Sequence, residues 1–259
     1  MLSSTAMLGA RKPKRPLPRR RPAARPQQPA LDLVARLLYR DALLLVIDKP
    51  AGLPVHAGPK GGATLEDDLG QLRFGLPNDP QLAHRLDRDT SGCLALGRHR
   101  KALQRLGALF AAGKVEKTYW AVVIGGPTGD SGRIDQPLAK LNAVRGWKMI
   151  ASPDGRPAAT EWEVLGRGPG LAWLACRPLT GRTHQIRVHL AGLGCPILGD
   201  PLYGPKSQES RGRPLHLHAR RLSIPLYPNK PAVAAEAPLP PALHAAFAAC
   251  GWRESRPAV

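Results

Sequence analysis

Hydrophobic and polar positions change their period along the chain, and the changes mark its elements. Leu43-Leu44-Leu45-Val46-Ile47-Asp48 is an apolar run of strand length. It leads into Lys49-Pro50-Ala51-Gly52-Leu53-Pro54-Val55-His56, where two prolines and a glycine predict an irregular turn. Thr64 ahead of Leu65-Glu66-Asp67-Asp68-Leu69 reads as an N-cap followed by first-turn acids, which predicts a short helix. Turn-rich sequence (Gly75, Pro77, Asn78, Asp79, Pro80) then precedes His84-Arg85-Leu86-Asp87-Arg88-Asp89-Thr90-Ser91-Gly92 and the apolar run Cys93-Leu94-Ala95-Leu96. Residues 84–92 are therefore expected on a loop that enters a strand.

Further on, Leu103, Leu106, Leu109 and Phe110 recur at helical spacing and stop at Gly113. Val115 to Ile124, β-branched and aromatic and closed by Gly125-Gly126-Pro127, is the longest strand signal. Residues 132–178 predict an antiparallel meander: Trp147 to Ala151, a Pro153-Asp154-Gly155 turn, Ala159 to Leu165, then Leu171 to Cys176 after Gly168-Pro169-Gly170. Thr180 to Leu190 switches to helical period, with Ile186, Leu190 and Leu193 on one face and Thr183 and Arg187 on a neighbouring one. Leu215 to Leu222 predicts another strand, leucines opposite histidines, and Pro241 to Ala249 a last small helix. Hairpins and short helices without regular βαβ alternation indicate an α+β fold on a mainly antiparallel sheet.

Composition adds a partner class. The chain has 259 residues and a formal net charge of +19, which favours a polyanion: nucleic acid or an acidic membrane surface. Eight Lys and Arg and no acid fall within residues 1–30, leaving +11 on residues 31–259. The first 30 residues, alternating Pro with Arg and Lys, are expected to be a disordered basic tail, and residues 31–259 the folded domain. No apolar run approaches the roughly 18 residues of a spanning helix, so no membrane insertion is expected and a cytoplasmic location is. Four scattered cysteines (Cys93, Cys176, Cys195, Cys250) with no CxxC pair indicate neither a disulfide framework nor a zinc site.

The loop at 84–92 carries the candidate chemistry. Arg85 and Arg88 flank Asp87, and a cation within a few Å keeps a carboxylate ionised and able to act as a nucleophile. The plainer reading is a solvated charge cluster on a turn.

Four blocks in order decide between these readings: Val46 to His56, His84 to Gly92, Lys117-Thr118-Tyr119, and Gly181 to Leu190 continuing to Gly199-Asp200. Together with Leu215-His216-Leu217-His218-Ala219 they resemble the RluA-type pseudouridine synthase family over residues 37–226. The resemblance implies an eight-stranded mixed, mostly antiparallel sheet flanked by helices and loops, with an RNA-binding central cleft. It implies that Asp87 is the catalytic aspartate, that Tyr119 stacks on the target uracil, that Arg187 pairs with the catalytic carboxylate, and that Arg85 fills the place of a flipped base. Arg88, Lys117, Arg182 and His184 are expected to contact substrate. The implied reaction isomerises uridine in structured RNA, tRNA or rRNA, to pseudouridine. No atom is lost, so no cofactor is expected, nor any metal, and a monomer is.

Many relatives carry an S4-type RNA-binding domain, for which residues 1–30 are too short and Pro-rich. The rival reading is an RNA-binding or RNA-folding protein on the same scaffold without catalysis. Asp89, two residues after Asp87, is expected to contact backbone in the turn rather than complete a carboxylate pair. His184 and His189, five apart on a helix, are poorly spaced for a metal.

Overall fold

The computed structural model describes residues 31–58, 61–141, 148–205 and 212–254. The expected basic tail, and Trp147 at the start of one expected strand, lie outside them.

The strands are β1 (Leu37–Arg40), β2 (Leu44–Lys49), β3 (Gln81–Leu82), β4 (Ser91–Gly97), β5 (Glu116–Ile124), β6 (Ser131–Asp135), β7 (Leu138–Leu141), β8 (Lys148–Ala151), β9 (Ala159–Gly168), β10 (Leu171–Pro178), β11 (Leu217–Ile224) and β12 (Val233–Glu236). The helices are α1 (Arg100–Ala111), α2 (Gln185–Gly192) and α3 (His244–Ala249). Eight strands run β1-β2-β4-β11-β5-β10-β9-β6, with β3 added on β4 and β12 on β11, while β7 and β8 make a separate hairpin. Neighbours are antiparallel except β4 and β11, which run parallel at the centre. The mixed, mostly antiparallel sheet implied by the sequence blocks is thus present, extended by two short strands.

One transverse row of the sheet organises the molecule. Lys49, Gly92, Ala219, Tyr119, Cys176, Trp162 and Gly132 stand in register across β2, β4, β11, β5, β10, β9 and β6. In-register neighbours point to the same face, so Lys49 and Tyr119 share one side of the sheet. Glycine at two places lets this row close up. A Cβ on Gly92 would lie 2.3 Å from Ala219 O, at a φ of +109° that L side chains rarely adopt. A Cβ on Gly132 would lie 2.6 Å from the Trp162 ring.

Some elements differ from their sequence reading for local reasons. Residues 65–72 form a 3-10 rather than an α-helix, started as expected at Thr64, whose N–H donates to the Asp67 carboxylate at 2.9 Å. Helix α2 is not striped: Gln185, Arg187 and His189 are as buried as Ile186 and Leu190, whereas Leu193 is 39% exposed. At the start of β11 both faces are covered, so His218, like His216 just before the strand, is buried as the leucines are, and a register shift between Ala219 and Arg221 breaks the alternation. Strands β1, β3 and β12 are too short, at two to four residues, to show a period.

The buried histidines hold elements together as neutral rings. His218 Nε2 donates to Ala237 O at 3.2 Å, so its Nδ1 accepts the Ser91 hydroxyl at 2.9 Å. His189 Nε2 donates to Gln136 O at 2.9 Å and its Nδ1 accepts the Thr160 hydroxyl at 2.9 Å. His84, half-buried, does likewise: its Nε2 accepts from Ala95 N at 3.0 Å while its ring stacks on Phe110, centroids 4.5 Å apart. Burial pushes His84 down to about 3 and His218 down to about 4, and it also lowers His184, His189 and His216.

In the unfolded chain these rings take up a proton near pH 6.5, which the native state refuses. Below about pH 6.5 the unfolded state therefore binds more protons and stability is lost, by up to about 1.4 kcal/mol per pH unit for each histidine. The urea midpoint of unfolding is expected to drop steeply between about pH 7 and about pH 4.5. A midpoint level across that interval contradicts the assignment.

Candidate active site

Asp87 lies on the loop between β3 and β4, and a buried lysine holds that loop. Lys49 ends β2 with no solvent exposure, and its Nζ donates to Pro50 O at 2.7 Å, Leu53 O at 2.8 Å and Arg88 O at 3.0 Å. All three ammonium hydrogens are thereby satisfied by backbone carbonyls. Burial pushes its pKa down to about 8, opposed by the charges of Asp89, Asp87 and Asp48. Gly52 N donates to Arg88 O at 2.9 Å and Arg88 Nε returns to Gly52 O at 3.0 Å, so the 49–53 turn and the Asp87 loop are stapled together. Thr90 N closes the loop on Asp87 O at 3.2 Å.

The opposite wall is the start of α2. Gln185 anchors it through Nε2 to Ala159 O at 2.8 Å and Thr160 Oγ1 at 3.0 Å, while its Oε1 accepts from Thr180 Oγ1 at 2.6 Å and Arg182 N at 3.0 Å. His184 sits just ahead of the helix in the left-handed region, with φ of 54°. Arg187, 3% exposed, lies one turn further on.

Arg187 reaches two carboxylates. Its Nε and Nη2 donate to Asp200 Oδ2 at 2.7 Å and Oδ1 at 2.8 Å, and its Nη1 reaches Asp87 Oδ2 at 3.5 Å. Burial opposes the Arg187 charge, but Asp200 and then Asp87 outweigh it and raise its pKa. Burial would likewise raise the Asp200 carboxyl, yet the Arg187 bonds bring it below the ordinary range. The expected pairing of Arg187 with Asp87 is thus a single contact, and the bidentate pair is made to Asp200. A fully enclosed guanidinium needs more than one carboxylate oxygen to be satisfied, and the Asp87 side chain is 18% exposed. His184 Nε2 stands 3.8 Å from the same Oδ2 of Asp87. Among the described residues Asp87 Oδ1 has no hydrogen-bond partner.

Tyr119 comes from β5, beside the parallel pair, where it packs against the apolar clusters on either side. Burial, then the charge of Asp87, raises its phenol pKa. A cleft of about 480 Å³ is lined by Arg85, Asp87, Tyr119, Lys117, Arg182, His184 and Arg187. Asp87 and Arg85 also line a second groove of about 490 Å³ on the other side of the loop, between the 54–58 segment and Pro201-Leu202.

The sequence-predicted residues thus converge, with one exception. Arg88 lines only the second groove, because its guanidinium folds back on the Gly52 carbonyl. Lys117 Nζ reaches Thr180 O at 3.4 Å, with its pKa lowered by burial, and Arg182 Nε reaches Pro157 O at 3.0 Å. The Arg85 side chain is exposed and makes no hydrogen bond or ion pair among the described residues.

Sequence reading assigned no role to Lys49, Asp200 or Tyr203. The signals were a lysine closing an apolar strand and an aspartate in Gly199-Asp200-Pro201, but what each touches is set by residues far along the chain. Among the described residues no three His, Cys, Asp or Glu side chains gather as a metal site, and no helix is long and apolar enough to cross a membrane.

Residues 43–192 match the family model described as RNA pseudouridylate synthase. An uncharacterised RNA pseudouridine synthase of Zymomonas mobilis is 48% identical over 212 residues, 81% of this chain and 96% of that protein. The ribosomal large subunit pseudouridine synthase D of Xanthomonas campestris is 43% identical over 184 residues, 67% of this chain and 53% of that longer protein. The solved structure of human RNA pseudouridylate synthase domain containing 4 superposes with a TM-score of 0.72 at 28% identity, covering 86% of this chain and 96% of that one. The α+β sheet, the cleft lined by Asp87 and Tyr119 and these likenesses agree: the chain belongs to the RNA pseudouridylate synthase family, and is an isomerase of uridine in RNA.

Proposed function

We propose that Asp87 is the nucleophile of this isomerase, acting on a uridine flipped into the cleft from structured tRNA or rRNA. The observation that carries it is the asymmetric hold on the carboxylate. Oδ2 faces Arg187 and His184, while Oδ1 remains unpaired among the described residues in a cleft shared with Tyr119.

The reaction breaks the bond from N1 to C1′, turns the uracil, joins C5 to C1′, and moves the C5 proton to solvent as N1 gains one. Composition is unchanged, so the protein must supply a detachable anchor, a place for the extruded base and a neutral floor. The Asp87 carboxylate is the anchor, bonding to C1′ or to C6 of the base. Tyr119, its phenol held protonated, offers an aromatic face worth about 1 to 3 kcal/mol per stacked base. Arg85, at the junction of the two grooves, is placed to occupy the gap left in the RNA stack. Lys117 and Arg182, inside the cleft, and Arg88, across the loop, supply positive charge toward phosphates.

The ribosomal substrate named for the Xanthomonas relative makes large-subunit rRNA the first RNA to test. The four cysteines, all free and buried, suit a reducing compartment such as the cytoplasm. Residues 31–259 serve as the catalytic unit and the basic tail as an arm on the phosphates.

Asp87→Asn is expected to form no pseudouridine on rRNA and tRNA transcripts that the wild type modifies, with its circular dichroism unchanged. Full activity in that variant removes Asp87 from the chemistry. Tyr119→Phe should stay within about threefold of wild type, whereas Tyr119→Ala loses about 5- to 150-fold, the value of one stacked base. Equal losses in the two would show that the ring face is not what matters.

Lys49→Met should weaken both folding, by about 2 to 4 kcal/mol, and activity, since three carbonyls lose their donor. Its pH dependence separates it from a generic core defect. The folded-state pKa of about 8 lies below the ordinary 10.5, so between those values the unfolded chain holds a proton that the native chain has shed. The stability of wild type relative to the variant should therefore rise from about pH 8 toward pH 10. Parallel urea curves across that range would refute it.

A further inference from the structure

We propose that Tyr203 is a positioning residue of the reaction: its hydroxyl fixes buried His184 in the tautomer whose Nε2–H faces Asp87, leaving Oδ1 as the attacking oxygen. This rests on the reading of Asp87 as nucleophile. The phenol oxygen of Tyr203 accepts the Met149 N–H at 3.0 Å, and its own proton then finds His184 Nδ1 at 2.9 Å. A neutral imidazole that accepts at Nδ1 carries its hydrogen on Nε2. That hydrogen faces Asp87 Oδ2 across 3.8 Å, longer than a hydrogen bond but of a kind that tightens when substrate closes the site. The other tautomer would turn a lone pair toward the carboxylate and repel it.

Asp87 needs this second donor because Arg187 is largely spent on Asp200. Two of its three donor nitrogens pair with Asp200, and the third meets Asp87 Oδ2 at 3.5 Å. One contact of that length leaves the carboxylate free to turn about its χ2 axis. A second group converging on the same oxygen removes the freedom and keeps Oδ1 aimed into the cleft.

The supporting parts are themselves fixed. The left-handed backbone at His184, costly for a residue with a Cβ, aims the ring across the cleft wall. Tyr203 meets that ring edge-on, with centroids 5.6 Å apart, and its N–H donates at 3.1 Å to the Asp200 oxygen that also holds Arg187. Lys148 Nζ caps the outer face of the phenol at 4.8 Å, and Met149 follows it on β8. The β7–β8 hairpin therefore takes part in aiming a carboxylate it never touches.

The test begins on the full-length protein without RNA. Long-range proton–nitrogen correlation of histidine-labelled protein, with the His184 signal identified by its loss in His184→Gln, is expected to show one Nε2–H tautomer near neutral pH. Tyr203→Phe, which keeps the ring and removes the hydroxyl, should show a mixture at His184 while the other histidine signals stay in place. An Nδ1–H tautomer or an imidazolium in the wild type overturns the proposal.

On rRNA or tRNA transcripts that the wild type modifies, Tyr203→Phe should slow the single-turnover rate about 5- to 20-fold, with half-saturation unchanged within about twofold. The predicted tautomer with an unaltered rate overturns the positioning role. Undiminished activity in Asp87→Asn would instead overturn the assignment of the nucleophile, and leaves the nitrogen spectra as they were.

Discussion

The site depends on a buried cation shared between two carboxylates. Arg187 is 3% exposed and Asp200 lies beneath it, so both have lost nearly all their water. Such a pair is tolerable only if its remaining donors and acceptors are filled, and the surroundings meet that demand. The Asp200 oxygen that takes Nη2 also accepts the backbone N–H groups of Leu202 and Tyr203, and Gln185 and His189 tie α2 to β9 and to the residues before β7. The third donor nitrogen is the one left over for Asp87. A geometry required for burial thus sets how much charge the Asp87 carboxylate sees.

Sheet topology brings the remaining parts within reach. Because β4 and β11 run parallel at the centre, the loop entering β4 opens at the same edge as the segment before β11, with β5 next in line. Gly92 pairs with Ala219, and Ala219 with Tyr119, so the aspartate five residues before Gly92 and the tyrosine are separated by a single strand. The missing Cβ at Gly92 is what permits that spacing.

Much of this was legible in the sequence because local signals were strong. The apolar run at 115–124, the 3.6 spacing of Leu103, Leu106 and Phe110, and the turn residues before His84 each forecast an element that is present as β5, α1 and the Asp87 loop. The cleft residues were legible through ordered blocks rather than through chemistry. What stayed hidden were long-range partnerships. Arg88 stands next to Asp87 in sequence yet spends its guanidinium on Gly52, while the cation that does meet Asp87 comes from a hundred residues further along. Buried polar side chains defeat periodicity in the same way: Gln185 and His189, polar residues on a helix, are buried and hold α2 in place.

The lysine at the end of β2 makes the shape of the Asp87 loop depend on a strand pairing. Its ammonium gathers carbonyls from the 50–53 turn and from Arg88, so the loop takes its shape only once the strand delivering that ammonium has zipped onto β4. Were β2 to part from β4, the ammonium would be withdrawn and those carbonyls would lose their shared donor. The Asp87 loop is therefore only as well defined as the strand pairing beside it.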